Sequence, residues 1–183
     1  DVQSPHARKA HYGEVGRFRE FLEQLTGKKL TDEKLNDALE TINENRRLLR
    51  ELYEYRKEGN PKVLGTEAVY AALTAQFVDK AEHNAELRKV LAALPNRKLD
   101  RDEGIRFMTI GSENDDISFM AMVESVGSTI VIDDQCSGTR YFWNEAKLNS
   151  DPIKAIADRY CDRPACPTKD YPSHTRFDHV LSL

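Results

Sequence analysis

The sequence predicts an α/β protein: a helical segment over residues 1–100, with about four helices, then a partial parallel β-α-β unit within residues 101–183. Three observations carry this. Apolar residues recur at steps of three and four from Tyr12 to Leu94, the spacing of a helix face. Beyond Arg97–Gly104 the period changes to two short apolar runs separated by one helical stretch. Composition shifts at the same place. Residues 1–100 carry 18 basic and 17 acidic side chains and residues 101–183 carry 9 and 14, and the second part holds all three Cys, all three Met and the single Trp.

Residues 1–10 show no period and read as a lead-in. From Tyr12, Val15, Phe18, Leu22 and Leu25 mark a first helix, which Gly27 ends as a helix C-terminal glycine. Thr31 is an N-cap for a second helix. Asp32 and Glu33 stand in its first turn, where the helix dipole favours acids, and Leu35, Leu39, Ile42, Leu49 and Leu52 form its stripe as far as Lys57. Asn45 and Arg46 interrupt the heptads, so packing of helix on helix is expected rather than a coiled coil. A third helix starts near Thr66 and, with Val69, Leu73 and Phe77 amid alanines, is the most buried; a fourth spans Ala81 to Leu94.

Ile105–Ile110 lies between two glycines and reads as a strand, Ile117–Val126 as a helix and Thr129–Ile132 as a second strand. A right-handed crossover then makes the pair parallel, in the manner of a flavodoxin or Rossmann unit. Two further helical stretches follow, from Pro152 and around Phe177–Leu181. Two parallel strands do not make a stable sheet by themselves. Unless Cys136–Asn149 hides another strand, the missing ones are expected in polypeptide outside this chain or in a partner. The start at Asp1, without Met or a signal segment, points to a processed product or a piece of something longer.

Several functions are disfavoured. No run approaches the roughly 18 apolar residues of a membrane span. A net charge of −4 opposes general nucleic-acid binding. Cys136, Cys161 and Cys166 are odd in number and suit a reducing, cytoplasmic setting better than a disulfide framework. Cys161 and Cys166 lack the second close pair of a zinc site, and His174 and His179 are not fixed by spacing to complete one, so no metal ligands are assigned.

Open α/β sheets bind ligands beyond the carboxyl ends of their strands. Two clusters fall there. In Gly111-Ser112-Glu113-Asn114-Asp115-Asp116, Ser112, Glu113 and Asn114 are candidates to line a cleft, while Asp115 or Asp116 caps the following helix. No G-x-G-x-x-G is present, and the three acids would repel a pyrophosphate, against a dinucleotide site. Asp133–Trp143 contains the further candidates Asp133, Asp134, Cys136 and Arg140. Either these line the same cleft, or Asp134 and Arg140 form an ion pair that holds the loop and Tyr141-Phe142-Trp143 plugs a core. A third cluster, Arg159–Lys169, reads as a rigid proline-containing loop whose basic residues face solvent or an acidic ligand.

These three clusters, in this order, resemble the 2-hydroxyacyl-CoA dehydratase and benzoyl-CoA reductase family. So do Phe21–Leu25, Thr26–Leu35 and Asn43-Glu44-Asn45-Arg46, and the resemblance covers the chain from about Tyr12. It implies a D-component type subunit longer than this chain, paired with a second homologous subunit. It implies a [4Fe–4S] cluster in the full-length subunit, and a separate ATP-hydrolysing iron–sulfur activator that supplies low-potential electrons to an acyl-CoA substrate. In the dehydratases a ketyl radical forms and hydroxide leaves as water; in the reductases the benzoyl ring is dearomatised. The setting implied is anaerobic, cytoplasmic metabolism. The family's cluster cysteines have no counterpart at Cys136, Cys161 or Cys166, so this internal segment is expected to bind no cluster and to be inactive alone. The competing reading is a non-enzymatic helical module that docks a partner subunit, with the α/β part as scaffold.

Overall fold

A computed structural model describes residues 4–164 and 175–183. It contains α1 (Pro5–Thr26), α2 (Asp32–Lys57), α3 (Gly65–Phe77), α4 (Lys80–Ala93), β1 (Ile105–Ile110), α5 (Ile117–Ser125), β2 (Ser128–Asp134), α6 (Thr139–Phe142), α7 (Pro152–Cys161) and α8 (Thr175–Leu181). The α/β class holds, with four long helices preceding a parallel strand pair. Among the described residues, no helix is long and apolar enough to cross a membrane.

The chain divides into two compact units, Asp1–Asn43 with Asn144–Leu183, and Glu44–Trp143. The division falls within α2 and not at the composition shift near residue 100.

In the first unit, residues 5–10 of the lead-in are helical: Ser4 caps α1 by accepting from Ala7 N, and Pro5 suits the first turn, where its missing N–H leaves nothing unpaired. Gly27 ends α1 in the left-handed conformation at φ 67°. α1 packs on α7. Arg8 pairs with Asp158 and Asp162, and Tyr12 donates to Asp151. Asn43 closes a reciprocal pair with the Ala146 backbone, donating to its carbonyl at 2.8 Å and accepting from its N–H at 3.0 Å. Beside it, Leu39, Ala146 and Ala155 form a small core. No residue of α1 is fully buried, and Phe18, Phe21 and Leu25 are 60, 55 and 69% exposed on one face.

In the second unit, α3 packs against α4, α5 and β2, with Val69, Met120 and Ile130 at the centre. The buried alanines Ala68, Ala72 and Ala75 explain the close approach. Gly65, at the start of α3, is required by proximity, since a Cβ there would lie 2.6 Å from that of Ile130. The Glu124 carboxylate caps α3, accepting from Gly65 N and Thr66 N and from the Thr66 hydroxyl. β1 and β2 pair in parallel from Ile105↔Ser128 to Ile110↔Asp134, with one irregularity after Phe107. Residues 139–142 are helical, so no third strand is found among the described residues.

Candidate functional site

The carboxyl ends of β1 and β2 carry two loops, Gly111–Asp116 and Gln135–Gly138, which are joined by hydrogen bonds. Gly111 N donates to Asp134 O, and Cys136 N donates to Ser112 O at 2.7 Å. Ser137 Oγ donates to Asn114 O at 3.0 Å and accepts from Asn114 N at 3.3 Å. Asn114 Oδ1 accepts from Asp116 N, and Asp116 then caps α5 by accepting from Phe119 N at 2.9 Å. The capping role of Asp116 is therefore realised.

Arg140, on α6, lies at the centre of the two loops. Its guanidinium donates to the carbonyls of Gly111 and Ser112, meets Asp134 Oδ2 at 3.4 Å and Cys136 Sγ at 3.4 Å. Arg140 and Asp134 are buried, and so is Asp133. Asp133 Oδ2 receives Arg56 Nη1 at 3.1 Å, and Asp133 Oδ1 receives Thr139 N at 2.9 Å. Gly138 passes so close to this carboxylate that a Cβ would overlap it, lying 2.7 Å from Asp133 Cγ. Arg56 also donates to Ile130 O at 2.9 Å and lies 4.4 Å over the Tyr53 ring. Burial, and then the Asp133 carboxylate, push the Tyr53 phenol well above its ordinary pKa.

The seven sequence candidates thus separate by position. Ser112 and Glu113 are exposed, Asn114 and Cys136 are half-buried, and Asp133, Asp134 and Arg140 lie in the interior. The structure gathers all seven at the carboxyl ends of the two strands: Ser112, Glu113, Asn114 and Cys136 on the loops, Asp133 and Asp134 at the end of β2, and Arg140 on α6. It gives the two aspartates and the arginine the work of holding those loops, as the ion-pair reading of Asp134 and Arg140 expects. Phe142 plugs the core beneath, edge-on to Tyr53 at 4.7 Å, and Arg50 donates to the Phe142 and Trp143 carbonyls.

The sequence candidates do not include Arg56, and Tyr53 reads from the sequence only as part of the apolar stripe of α2. The signal was present: Arg56 stands seven residues after Leu49 on the apolar face of α2, where a cation needs a buried partner. The start of the third cluster departs from the loop expected of it, because Arg159, Tyr160 and Cys161 end α7. Helical packing buries Arg159 and Cys161 there. Residues 165–169 of that cluster, Cys166 among them, lie outside the described residues, as does His174.

Among the described residues no three of His, Cys, Asp and Glu converge on a metal position. Cys136 is the one cysteine in the sequence of residues 44–143. Its sulfur faces a guanidinium, a cation that opposes a metal ion beside it. These residues do not fit an iron–sulfur cluster. A cavity at the amino ends of the strands is lined by Lys62, Arg97, Lys98 and Arg101 among acidic Glu58, Asp102 and Glu103. Three of these cations are engaged, Arg97 by Glu67, Lys62 by Pro95 O and Arg101 by Ser128 O.

Comparison with known proteins agrees with the family resemblance of the sequence. The chain matches the family described as 2-hydroxyglutaryl-CoA dehydratase, D-component, over residues 1–183. It is similar to a benzoyl-CoA reductase subunit of Thauera aromatica, 31% identical over 147 residues, covering 79% of this chain and 38% of that protein. It is also similar to the (R)-phenyllactyl-CoA dehydratase beta subunit of Clostridium sporogenes, 24% identical over 164 residues, covering 90% of this chain and 44% of that protein. The chain spans less than half the length of either relative. It belongs to the 2-hydroxyglutaryl-CoA dehydratase D-component family.

Proposed function

We propose that this chain is part of a longer subunit of an ATP-dependent benzoyl-CoA reductase or (R)-2-hydroxyacyl-CoA dehydratase. The family match along the whole chain, with a reductase and a dehydratase subunit among its relatives, supports this reading. A separate iron–sulfur activator that hydrolyses ATP supplies low-potential electrons, and the enzyme is completed by a second, homologous subunit. The electrons reach a CoA thioester, which either is dearomatised in its benzoyl ring or loses its hydroxyl as water. The [4Fe–4S] cluster of the full-length subunit is held outside the described residues, and the setting is the anaerobic cytoplasm. This chain contributes a rigid strand-end platform. Arg140 and Asp133 hold the loops, and Ser112 and Glu113 stand exposed where an open α/β sheet receives its ligand.

Anaerobic purification of the full-length gene product tests the reading. A cluster absorbance and a paramagnetic signal on reduction are expected. A product longer than 183 residues with neither signal overturns the cluster assignment.

A second reading, a helical module that docks another subunit, is favoured by one observation. Phe18, Phe21 and Leu25 form an exposed apolar stripe on α1. Size-exclusion chromatography with light scattering separates the readings: a strictly monomeric product weakens docking.

A further inference from the structure

We propose that the outer edge of β1 receives a further strand of the full-length subunit, contributed by polypeptide outside residues 1–183. The inference rests on the reading of this chain as part of a longer subunit.

The two edges of the sheet differ. The outer edge of β2 is closed by side chains: Arg56 binds Ile130 O, Arg101 binds Ser128 O, and Glu124 accepts from Ile130 N. All seven residues of β2 are buried. The sheet therefore cannot grow on that side.

β1 is the reverse. The amides of Ile105 and Gly111 point to β2, where they meet Gly127 O and Asp134 O. The alternation of a strand then turns the amides of Arg106, Met108 and Ile110 outward. Free edges in natural sheets are guarded by Pro, a bulge or projecting charge. β1 has no Pro, and the extra residue at the irregularity, Val131, belongs to β2. Its one charge, Arg106, is drawn to the amino end by Glu103 and the Lys57 carbonyl. Ile105, Phe107 and Ile110 are 66, 43 and 56% exposed. α5 packs on β2 and α3, and its Phe119 and Met122, with Val126 just beyond its end, are exposed as well.

A strand of this composition matches the buried members of parallel sheets, which read as near-continuous apolar runs. The occupant is polypeptide of the same subunit because the two relatives are more than twice as long as the stretch this chain matches. A parallel strand added beside β1 places β2 and the newcomer on opposite sides of it. That makes the carboxyl end of β1 a topological switch point, and Gly111–Asp116 its loop.

Residue-resolved hydrogen exchange on the full-length subunit tests this. Arg106, Met108 and Ile110 amides are expected to exchange as slowly as Phe107 and Thr109, at every protein concentration. Exchange as fast as at exposed Glu113 overturns the proposal. Protection that disappears on dilution overturns it too, since a second copy would then cover the edge. As a second readout, Ile110→Lys in the full-length subunit is expected to lower Tm by about 5 °C or more. An unchanged Tm, as at a solvent-facing site, contradicts the proposal. Exchange reads the strand whether or not the product carries a cluster, so its failure is distinct from failure of the enzymatic reading.

Discussion

Arg56 of α2 and Asp133 of β2 form an ion pair with both side chains fully buried, Nη1 lying 3.1 Å from Oδ2. Because Asp133 also accepts from Thr139 N, the pair joins a long helix to the strand-end loop that Arg140 organises. Arg56→Met is expected to destabilise the fold by about 3–5 kcal/mol, because it leaves a buried carboxylate uncompensated. In urea unfolding, the double variant Arg56→Met, Asp133→Asn should cost less than the sum of the single changes. Strict additivity would show that the two residues are not coupled.

Gly138 has a tighter requirement than its loop position suggests, because a Cβ would overlap the Asp133 carboxylate. Gly138→Ala is expected to cost about 1–3 kcal/mol through displacement of that carboxylate. Gly104→Ala fails for a second reason as well, since Gly104 has φ +65° and its Cβ would overlap Gly127 O. Thermal unfolding of either variant at the parent temperature would contradict these assignments.

His83 makes stability depend on pH. Asn45 of α2 donates to His83 Nδ1 at 2.8 Å, and Nε2 meets the Thr74 hydroxyl of α3 at 3.1 Å, an arrangement that needs Nδ1 unprotonated. Burial, then Lys80, lowers the His83 pKa. The unfolded chain takes up a proton near 6.5, the folded chain only at lower pH, so this contribution is full above about 6.5 and is lost as pH falls below it. Urea midpoints from pH 8 to 5 should fall less steeply in His83→Gln than in the parent. Identical slopes would exclude His83 as the source.

The strand-end loops separate residues that hold from residues that face outward. In the full-length enzyme, Ser112→Ala and Glu113→Gln are expected to lower turnover with Tm changed by little, because both side chains are exposed. Arg140→Met is expected to lower Tm, because four groups lose their shared donor. A Glu113→Gln enzyme with unaltered kcat and KM removes Glu113 from the site.

The helices and the parallel pair were legible because their signals are local. Thr31, Gly27, Asp116 and the Ile105–Ile110 run each act within a few residues. The loop cluster was legible as a cluster, since Asp134 and Arg140 are six apart. Its support was not, because Arg56 and Asp133 are 77 residues apart and only folding brings them together. Asn45 read as a flaw in a stripe; it is half of a polar contact whose other members, His83 and Asn84, lie on α4. The apolar residues of α1 gave the correct helix but not burial, since periodicity reports a face and not what covers it. The same holds for β1.

The most direct measurement is turnover by the full-length gene product, purified anaerobically with its second subunit and activator. The account predicts consumption of benzoyl-CoA or of an (R)-2-hydroxyacyl-CoA that requires both ATP and a low-potential donor. No consumption of either thioester, in an assembled and cluster-loaded complex, would contradict it.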